Sequence, residues 1–235
     1  MPGSIDLGGL AKSNVVLKKR SNLADDTADV LRGMILLEQL PPGMPLPERD
    51  ISAALGISRT PLREAIRLLE REGLVEYSAS RRPRVANPSL EEIADYLRVQ
   101  GALEALGGEL ACANATDTEL ENIARLNREM LEMSGEEDPL ISFKRDMEVH
   151  SAIVAAGHNE PLVETHATYN ARLWRARFVS SQRRMSRDST IREHQDIVKA
   201  LLSRNPQKTA QALKSHLTTA ISNIAKALKE RAEKA

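Results

Sequence analysis

Cysteine is almost absent from this 235-residue chain: Cys112 stands alone, which excludes a disulfide framework and points to a reducing compartment. Aromatic residues are scarce as well, with two Phe, one Trp and three Tyr, so any core has to be built from Leu, Ile, Val, Ala and Met. No segment approaches the ~20 apolar residues that span a bilayer, and the N-terminus has no apolar signal core. A soluble, cytoplasmic protein with no membrane partner is expected. Net charge is missing too, since 33 Lys and Arg balance 33 Asp and Glu. That balance is uneven along the chain: residues 16–87 hold 12 basic against 10 acidic residues, and residues 88–235 hold 20 against 22. The excess is modest and local, so any binding to phosphate has to come from a few placed arginines rather than a basic tail.

What is present concentrates first in Pro47–Val75, PERDISAALGISRTPLREAIRLLEREGLV. Ile51, Ala54 and Leu55 fall at i, i+3 and i+4, one apolar stripe on a helix of about two turns. Gly56 can close that helix in the left-handed conformation, and Ile57 plugs the turn. Ser58 or Thr60 can cap the next helix, with Pro61 in its first turn. Its stripe, Leu62, Ala65, Ile66 and Leu69, leaves Arg59, Thr60, Arg63 and Arg67 on or near the other side. Beyond Gly73, Leu74 and Val75 lead into a polar loop, Ser78 to Pro83, and back through Arg84, Val85 and Ala86, two short strands around a basic tip. Amphipathic helices with solvated arginines are common. The glycine turn, the cap, the arginines at the helix start and the basic hairpin in one order are not, and they read as a winged helix-turn-helix that binds DNA.

The same run, through SRTPLREA and LLEREGLV above all, resembles the winged-helix domain of the GntR family of bacterial transcriptional regulators, over about Leu23 to Asn87. The resemblance implies DNA contacts from Arg49, from Ser58, Arg59, Thr60 and Arg63 at the recognition helix, and from Arg81 and Arg82 in the wing. The glycine usual at the wing tip is replaced, with Arg82 nearest its place.

From Ser89 onward strand signals vanish. Ser89 with Glu92, Thr116 with Glu119 and Thr190 with Glu193 each have the capping-box spacing. Asp138 before Pro139, and Asn205 before Pro206, are cap-plus-proline starts. Six helices are expected, at about 89–113, 116–133, 139–156, 160–184, 190–203 and 206–232, joined by short loops that favour an antiparallel bundle. The fold class is therefore mainly α, with domains at 16–87 (winged helix) and 88–235 (effector binding and dimerisation) after a flexible tail at 1–15. Cys112, in a helical stretch beside Leu110, reads as a small core residue.

Asp146 and His150, four apart, share a helix face with Phe143, Met147 and Ile153. His194 sits among Ile191, Ile197 and Val198, and His216 among Leu213, Leu217 and Ala220. Each histidine alone fits a hydrogen-bonded core residue. Together a carboxylate and three imidazoles suit a divalent metal, Zn before Ni or another ion. The pattern resembles the FCD ligand-binding domain of the FadR subfamily, which extends the similarity to about Lys229 and implies Asp146, His150, His194 and His216 as ligands. His158, expected to be exposed, and His166 lie outside the pattern. The resemblance further implies a small organic acid as effector beside the metal. The family's arginine four residues before Glu104 is here Gln100, so Gln100 and Arg172 are the candidate effector contacts, with Arg175 a further substitute. Six helices rather than seven favour the VanR-like branch.

A ligand-responsive transcription factor follows as the expectation: a homodimeric repressor that binds a palindromic operator and responds to a small organic acid. A metal-dependent hydrolytic enzyme using Asp146 and the three histidines is the alternative, weakened because no second carboxylate or other base stands at recognisable spacing. A purely structural metal is a third reading.

Overall fold

Apolar residues spaced three and four apart make α1 (Leu23–Leu36), which buries Ala24, Ala28, Leu31 and Ile35 on one side. The computed structural model describes residues 23–133, 139–182 and 184–232, and the expected tail at 1–15 lies outside them. The chain divides between Pro88 and Ser89 into two compact units.

In the first unit, α2 (Glu48–Leu55) ends at Gly56, whose φ of 65° and ψ of 27° are the left-handed values that glycine adopts without a Cβ clash. The amide of Ile57 bonds back to Ser52 O at 3.1 Å, and its side chain packs on the core. The next helix, α3 (Arg59–Arg71), buries Leu62, Ala65, Ile66 and Leu69, the stripe expected from the spacing. Ser58 holds the N-cap position with extended backbone, although its side chain makes no capping bond. Strands β1 (Val75–Tyr77) and β2 (Pro83–Val85) pair antiparallel, with Val75 opposite Val85 and Glu76 opposite Arg84. Both valines face inward onto Leu31, Ile51, Leu62 and Ile66, each such burial stabilising by about 1.5–3 kcal/mol. Arg32 fastens α1 to the end of α3 through a two-pronged contact with Glu72, at 2.9 Å from Nε and 2.7 Å from Nη2.

The second unit has six helices among the described residues: α4 (Leu90–Asn114), α5 (Asp117–Glu132), α6 (Pro139–Ala155), α7 (Glu160–Ser181), α8 (Arg184–Leu202) and α9 (Pro206–Ala232). Ser89 with Glu92 and Thr116 with Glu119 form complete capping boxes. Asn205 Oδ1 accepts from the Lys208 amide at 2.9 Å, and Asn159 caps α7 in the same way at 3.1 Å. Asp138 lies outside the described residues. One expected cap is overturned: Thr190 is inside α8, which starts at Arg184. The Thr190/Glu193 spacing marks a start only where the preceding residues break a helix, and Arg184–Ser189 contain neither Gly nor Pro to do so. Correspondingly, α7 stops at Ser181 rather than 184.

Helix α4 packs against α6, α7 and α9. Two adjacent glycines set how near they come. A Cβ on Gly108 would lie 2.6 Å from Leu213 Cδ1 on α9, and one on Gly107 would lie 2.9 Å from Val154 Cγ2 on α6. Cys112 is buried there beside Thr209, Sγ to Oγ1 3.4 Å, as a core residue. This close approach sets α6 and α9, which carry His150 and His216, against α4.

Candidate nucleic-acid interface and candidate metal centre

The first unit carries its polar candidates on the outside. Arg49 on α2, Ser58 at the N-cap of α3, and Arg59, Thr60 and Arg63 in its first two turns are all exposed, as is Arg67. Arg63 is not free: its Nε donates to Glu48 Oε2 at 2.6 Å, a contact that aims the guanidinium and that sequence reading did not anticipate. In the wing, Arg84 pairs with Glu76 across the ladder at 2.7 Å. Arg81 and Arg82 are exposed at the tip. The residue in left-handed backbone there is Arg81, with φ 57°, and not Arg82. The turn closes through the Arg81 amide on Ser78 O at 2.8 Å and the Arg82 amide on Ser78 Oγ at 3.2 Å, which leaves position 81 to take the positive φ.

The second unit carries its candidates inside. His150 of α6, His194 of α8 and His216 of α9 are all buried, and each offers a ring nitrogen within 4.8 Å of the others. Asp146, one turn before His150, places Oδ1 3.0 Å from His194 Nε2 and 3.7 Å from His150 Nε2. Neither alignment makes a hydrogen bond. Among the described residues, Asp146 Oδ1, His150 Nε2 and both ring nitrogens of His194 are buried without a hydrogen-bond partner. Such orphaned groups are costly in an interior, and Asp146 Oδ1 and His150 Nε2 beside one nitrogen of His194 fit an ion that would satisfy them.

The outer nitrogens of His150 and His216 are secured. His150 Nδ1 bonds Glu104 Oε2 at 2.7 Å and His216 Nδ1 bonds Glu193 Oε2 at 2.8 Å, so each ring presents Nε2 inward, the carboxylate–imidazole arrangement that orients metal ligands. Burial opposes charge on Asp146 and on Glu104, yet the neighbouring histidines outweigh it and hold both carboxyls well below the usual range, with Arg177 adding to the effect on Glu104. Burial also pushes His150 down, but the Glu104 charge prevails and raises it to about 9. For His216 burial wins and lowers it to about 4. The cluster thus holds two carboxylates against rings packed edge-on or stacked at centroid separations of 4.8–5.1 Å. Zinc bonds to imidazole nitrogen at about 2.0–2.1 Å, so side-chain adjustments on the order of an ångström would close this set on an ion.

Gln100 and Arg172, the candidate effector contacts, part company. Gln100 is fully buried and donates from Nε2 to Glu104 Oε1 at 3.2 Å. Arg172 instead donates to Tyr96 OH at 2.9 Å and lies over that ring, 5.4 Å from its centroid. His158 is exposed and bonded to Glu119 at 2.9 Å, whereas His166 is buried with Nε2 3.4 Å from Glu104 Oε1. Sequence reading missed Glu104 as the hub of this network, along with Glu193, His166 and Arg177. A signal existed for two of them: His166, Asn170, Leu173 and Arg177 recur at i, i+4, i+7 and i+11, on a face that buries all four.

A winged helix-turn-helix with arginines along its exposed edge, joined to a helical bundle with an imidazole-rich core, defines the class of a two-unit sensor and DNA reader. The comparisons agree. Residues 23–85 match the bacterial regulatory proteins of the gntR family, and residues 95–219 match the FCD domain. The Nta operon transcriptional regulator of Aminobacter aminovorans is 32% identical over 179 residues, covering 75% of this chain and 82% of that protein. The probable D-xylose utilization operon transcriptional repressor of Paenarthrobacter nicotinovorans is 27% identical over 198 residues, covering 84% and 87%. Among solved structures, Escherichia coli McbR/YncC has the same fold, with a TM-score of 0.74 at 18% identity over 90% of this chain and 99% of that one. The chain belongs to the gntR family of bacterial regulatory proteins, in the group with an FCD domain. It is a DNA-binding transcriptional regulator and not an enzyme, so the hydrolytic alternative falls. No described helix is long and apolar enough to cross a membrane.

Proposed function

We propose that this regulator is a homodimeric, cytoplasmic repressor that binds a palindromic operator and responds to a small organic acid held at a divalent metal, zinc, in the second unit. The observation that carries the reading is the convergence of His150, His194 and His216, with Asp146 Oδ1 3.0 Å from His194 Nε2 and buried polar atoms left unpaired on Asp146, His150 and His194. Those four residues would hold the ion, and the ion would supply a Lewis-acidic site for a carboxylate oxygen. In the first unit the reading edge is Arg49, Ser58, Arg59, Thr60 and Arg63, with Arg81 and Arg82 of the wing on the backbone or minor groove.

A second copy is supported by α4. Val99 and Leu106 are 41% and 44% exposed, and with Leu103 and Leu110 they continue an apolar stripe at i, i+4, i+7 and i+11, on the side of α4 away from its buried residues. A helix apolar on both sides is ordinarily covered on both. One recognition helix reads only a few base pairs, so two copies on half-sites about one helical turn apart multiply specificity. The acid must favour one operator affinity over another, because a ligand with equal affinity for both states shifts nothing. Repression is proposed because the D-xylose relative is named as a repressor.

The test is a thermal-shift screen of the zinc-loaded protein against small carboxylic and sugar acids, followed by operator binding with and without the acid found. A ligand specific to the native state raises the melting temperature. A protein that binds no metal after dialysis against zinc would defeat the metal reading. A fall in target transcription on deleting the gene would reverse the proposed sign. A monomer by light scattering that stays unchanged in Leu106→Glu would remove the dimer.

A further inference from the structure

Glu48 opens α2 and Arg63 stands in the second turn of α3, so their contact joins the two helices of the DNA-binding motif. Arg63 Nε donates to Glu48 Oε2 at 2.6 Å, and among the described residues this is the guanidinium's single hydrogen bond. The carboxylate sits back, with its side chain 23% exposed, while the arginine side chain is 58% exposed. A grip on Nε alone leaves Nη1 and Nη2, the parallel pair of donors at the end of the fork, unused. Arg32 shows the opposite use: Nε and Nη2 both close on Glu72, and the fork is spent on holding α1 to α3. Arg84 is gripped by Glu76 much as Arg63 is by Glu48, but on a wing strand and not near the start of the helix that meets base edges.

The other arginines beside Arg63 are not held. Arg49 and Arg59 are exposed, and neither guanidinium has an ion pair or hydrogen bond among the described residues. A loose cation suits phosphate, which accepts charge from many directions, whereas a base edge has to be met in one orientation. Two further points set Glu48 apart. An exposed ion pair adds little to stability, so holding the fold together is a weak reason for it. A carboxylate on an edge lined with arginines also opposes the approach of phosphate, which is a cost to any binding that ignores sequence.

We infer that Glu48 is a positioning residue for sequence readout: it fixes Arg63 so that Nη1 and Nη2 donate to O6 and N7 of one guanine in each half-site. The inference rests on the reading edge proposed above, with Arg63 on a base and not on phosphate. Guanine is the base whose major-groove edge offers two acceptors to a parallel pair of donors. An arginine already held in place loses less side-chain freedom on meeting that edge. The charge of Glu48 then weakens binding wherever the guanine is missing.

The test selects an operator from random duplexes with the full-length wild type, then follows anisotropy on that operator, on its single-base variants and on a random duplex. The wild type should prefer one particular guanine of each half-site by roughly tenfold or more, and Arg63→Ala should lose that preference. Glu48→Ala should shrink it to about threefold or less, with binding to the random duplex unchanged or tighter. Glu48→Gln keeps a neutral acceptor for Nε and should retain most of the preference, which a role through charge alone would not allow. Combining Glu48→Ala with Arg63→Ala should add nothing to Arg63→Ala, because Glu48 acts through Arg63. Both side chains lie outside the core, so melting temperatures should stay within about two degrees. Should Glu48→Ala fold poorly, Glu48→Met, of similar length and without that acceptor, takes its place. A full guanine preference in Glu48→Ala, with Arg63→Ala deprived of it, overturns the positioning role and leaves the reading edge standing. An Arg63→Ala that weakens every duplex alike makes Arg63 a phosphate contact and overturns the inference as well. An Arg63→Ala with wild-type affinity and preference removes Arg63 from the reading edge itself.

Discussion

The first unit keeps its candidate working residues at the surface, where Arg49, Arg59, Thr60, Arg63, Arg81 and Arg82 are exposed, while the second keeps His150, His194, His216, Glu104 and Arg177 almost wholly inside. Exposed arginines over an apolar core are energetically detached from it: Leu31, Leu62, Ile66 and Leu69 hold the head together whichever polar residues line its edge. The buried cluster has no such separation. Its polar atoms are part of the packing of α4, α6, α7, α8 and α9, so function and stability meet in the same side chains.

The sharpest way to break this contrast is at the cluster. Combining Asp146→Ala with His194→Ala should abolish zinc binding, and with it a stabilisation of about 4 kcal/mol at a thousandfold excess of zinc over its dissociation constant. Operator affinity without effector should change by no more than about twofold, since distant sites act additively. Differential scanning fluorimetry with and without zinc, beside an anisotropy titration on an operator selected from random duplexes, measures both; undiminished zinc stabilisation would end the assignment.

The opposite pattern is expected at the head. Arg59→Ala or Arg63→Ala should each cost about 1–3 kcal/mol of operator binding, leaving zinc content unchanged and the melting temperature within a degree or two. The same titration at several salt concentrations should show a shallower salt slope wherever the lost contact was to phosphate. Equal operator affinity in both variants would remove α3 as the reading helix.

Between these lies Glu104→Gln, which touches the cluster only through His150 and its neighbours. Loss of the 2.7 Å contact that presents His150 Nε2 inward should weaken zinc by about 10–100-fold, measured by competition with a chelator.

The smallest effect belongs to a cap. Thr116→Ala should cost about 1 kcal/mol by denaturant unfolding. The backbone and side-chain bonds from Thr116, with the His158 contact, lower Glu119 from 4.5 to about 2. A carboxyl depressed in the folded state stabilises above its unfolded value, so this contribution is present above pH 4.5 and is lost as the pH falls toward 2. Glu119→Gln should flatten that part of the acid-unfolding curve.

Much of the head was legible in the chain because its signals are local. The stripe Leu62, Ala65, Ile66, Leu69, the glycine at 56 and the paired strands around the basic tip are each set within a few residues. Even there, Glu48 on Arg63 and the positive φ at Arg81 rather than Arg82 needed coordinates. In the bundle, Thr190 carried a valid cap spacing and still lies inside α8, because local spacing cannot say whether the helix has already begun.

The four proposed ligands were legible one helix at a time, through the four-residue spacing of Asp146 and His150 and the apolar neighbours of His194 and His216. Their meeting, and the network behind them, was not. Glu104, His166 and Arg177 are separated by 46, 16 and 27 residues from His150, and only the packing of α4 against α6 and α7 brings them together, with Gly107 setting how near α4 lies to α6. Helical period and end signals, being local, were determined by the sequence alone, as was the membership that the two matched domains record. Which buried charges face one another, and which are left without a partner, was decided only by tertiary packing, because an interior pairs side chains by distance in space rather than along the chain.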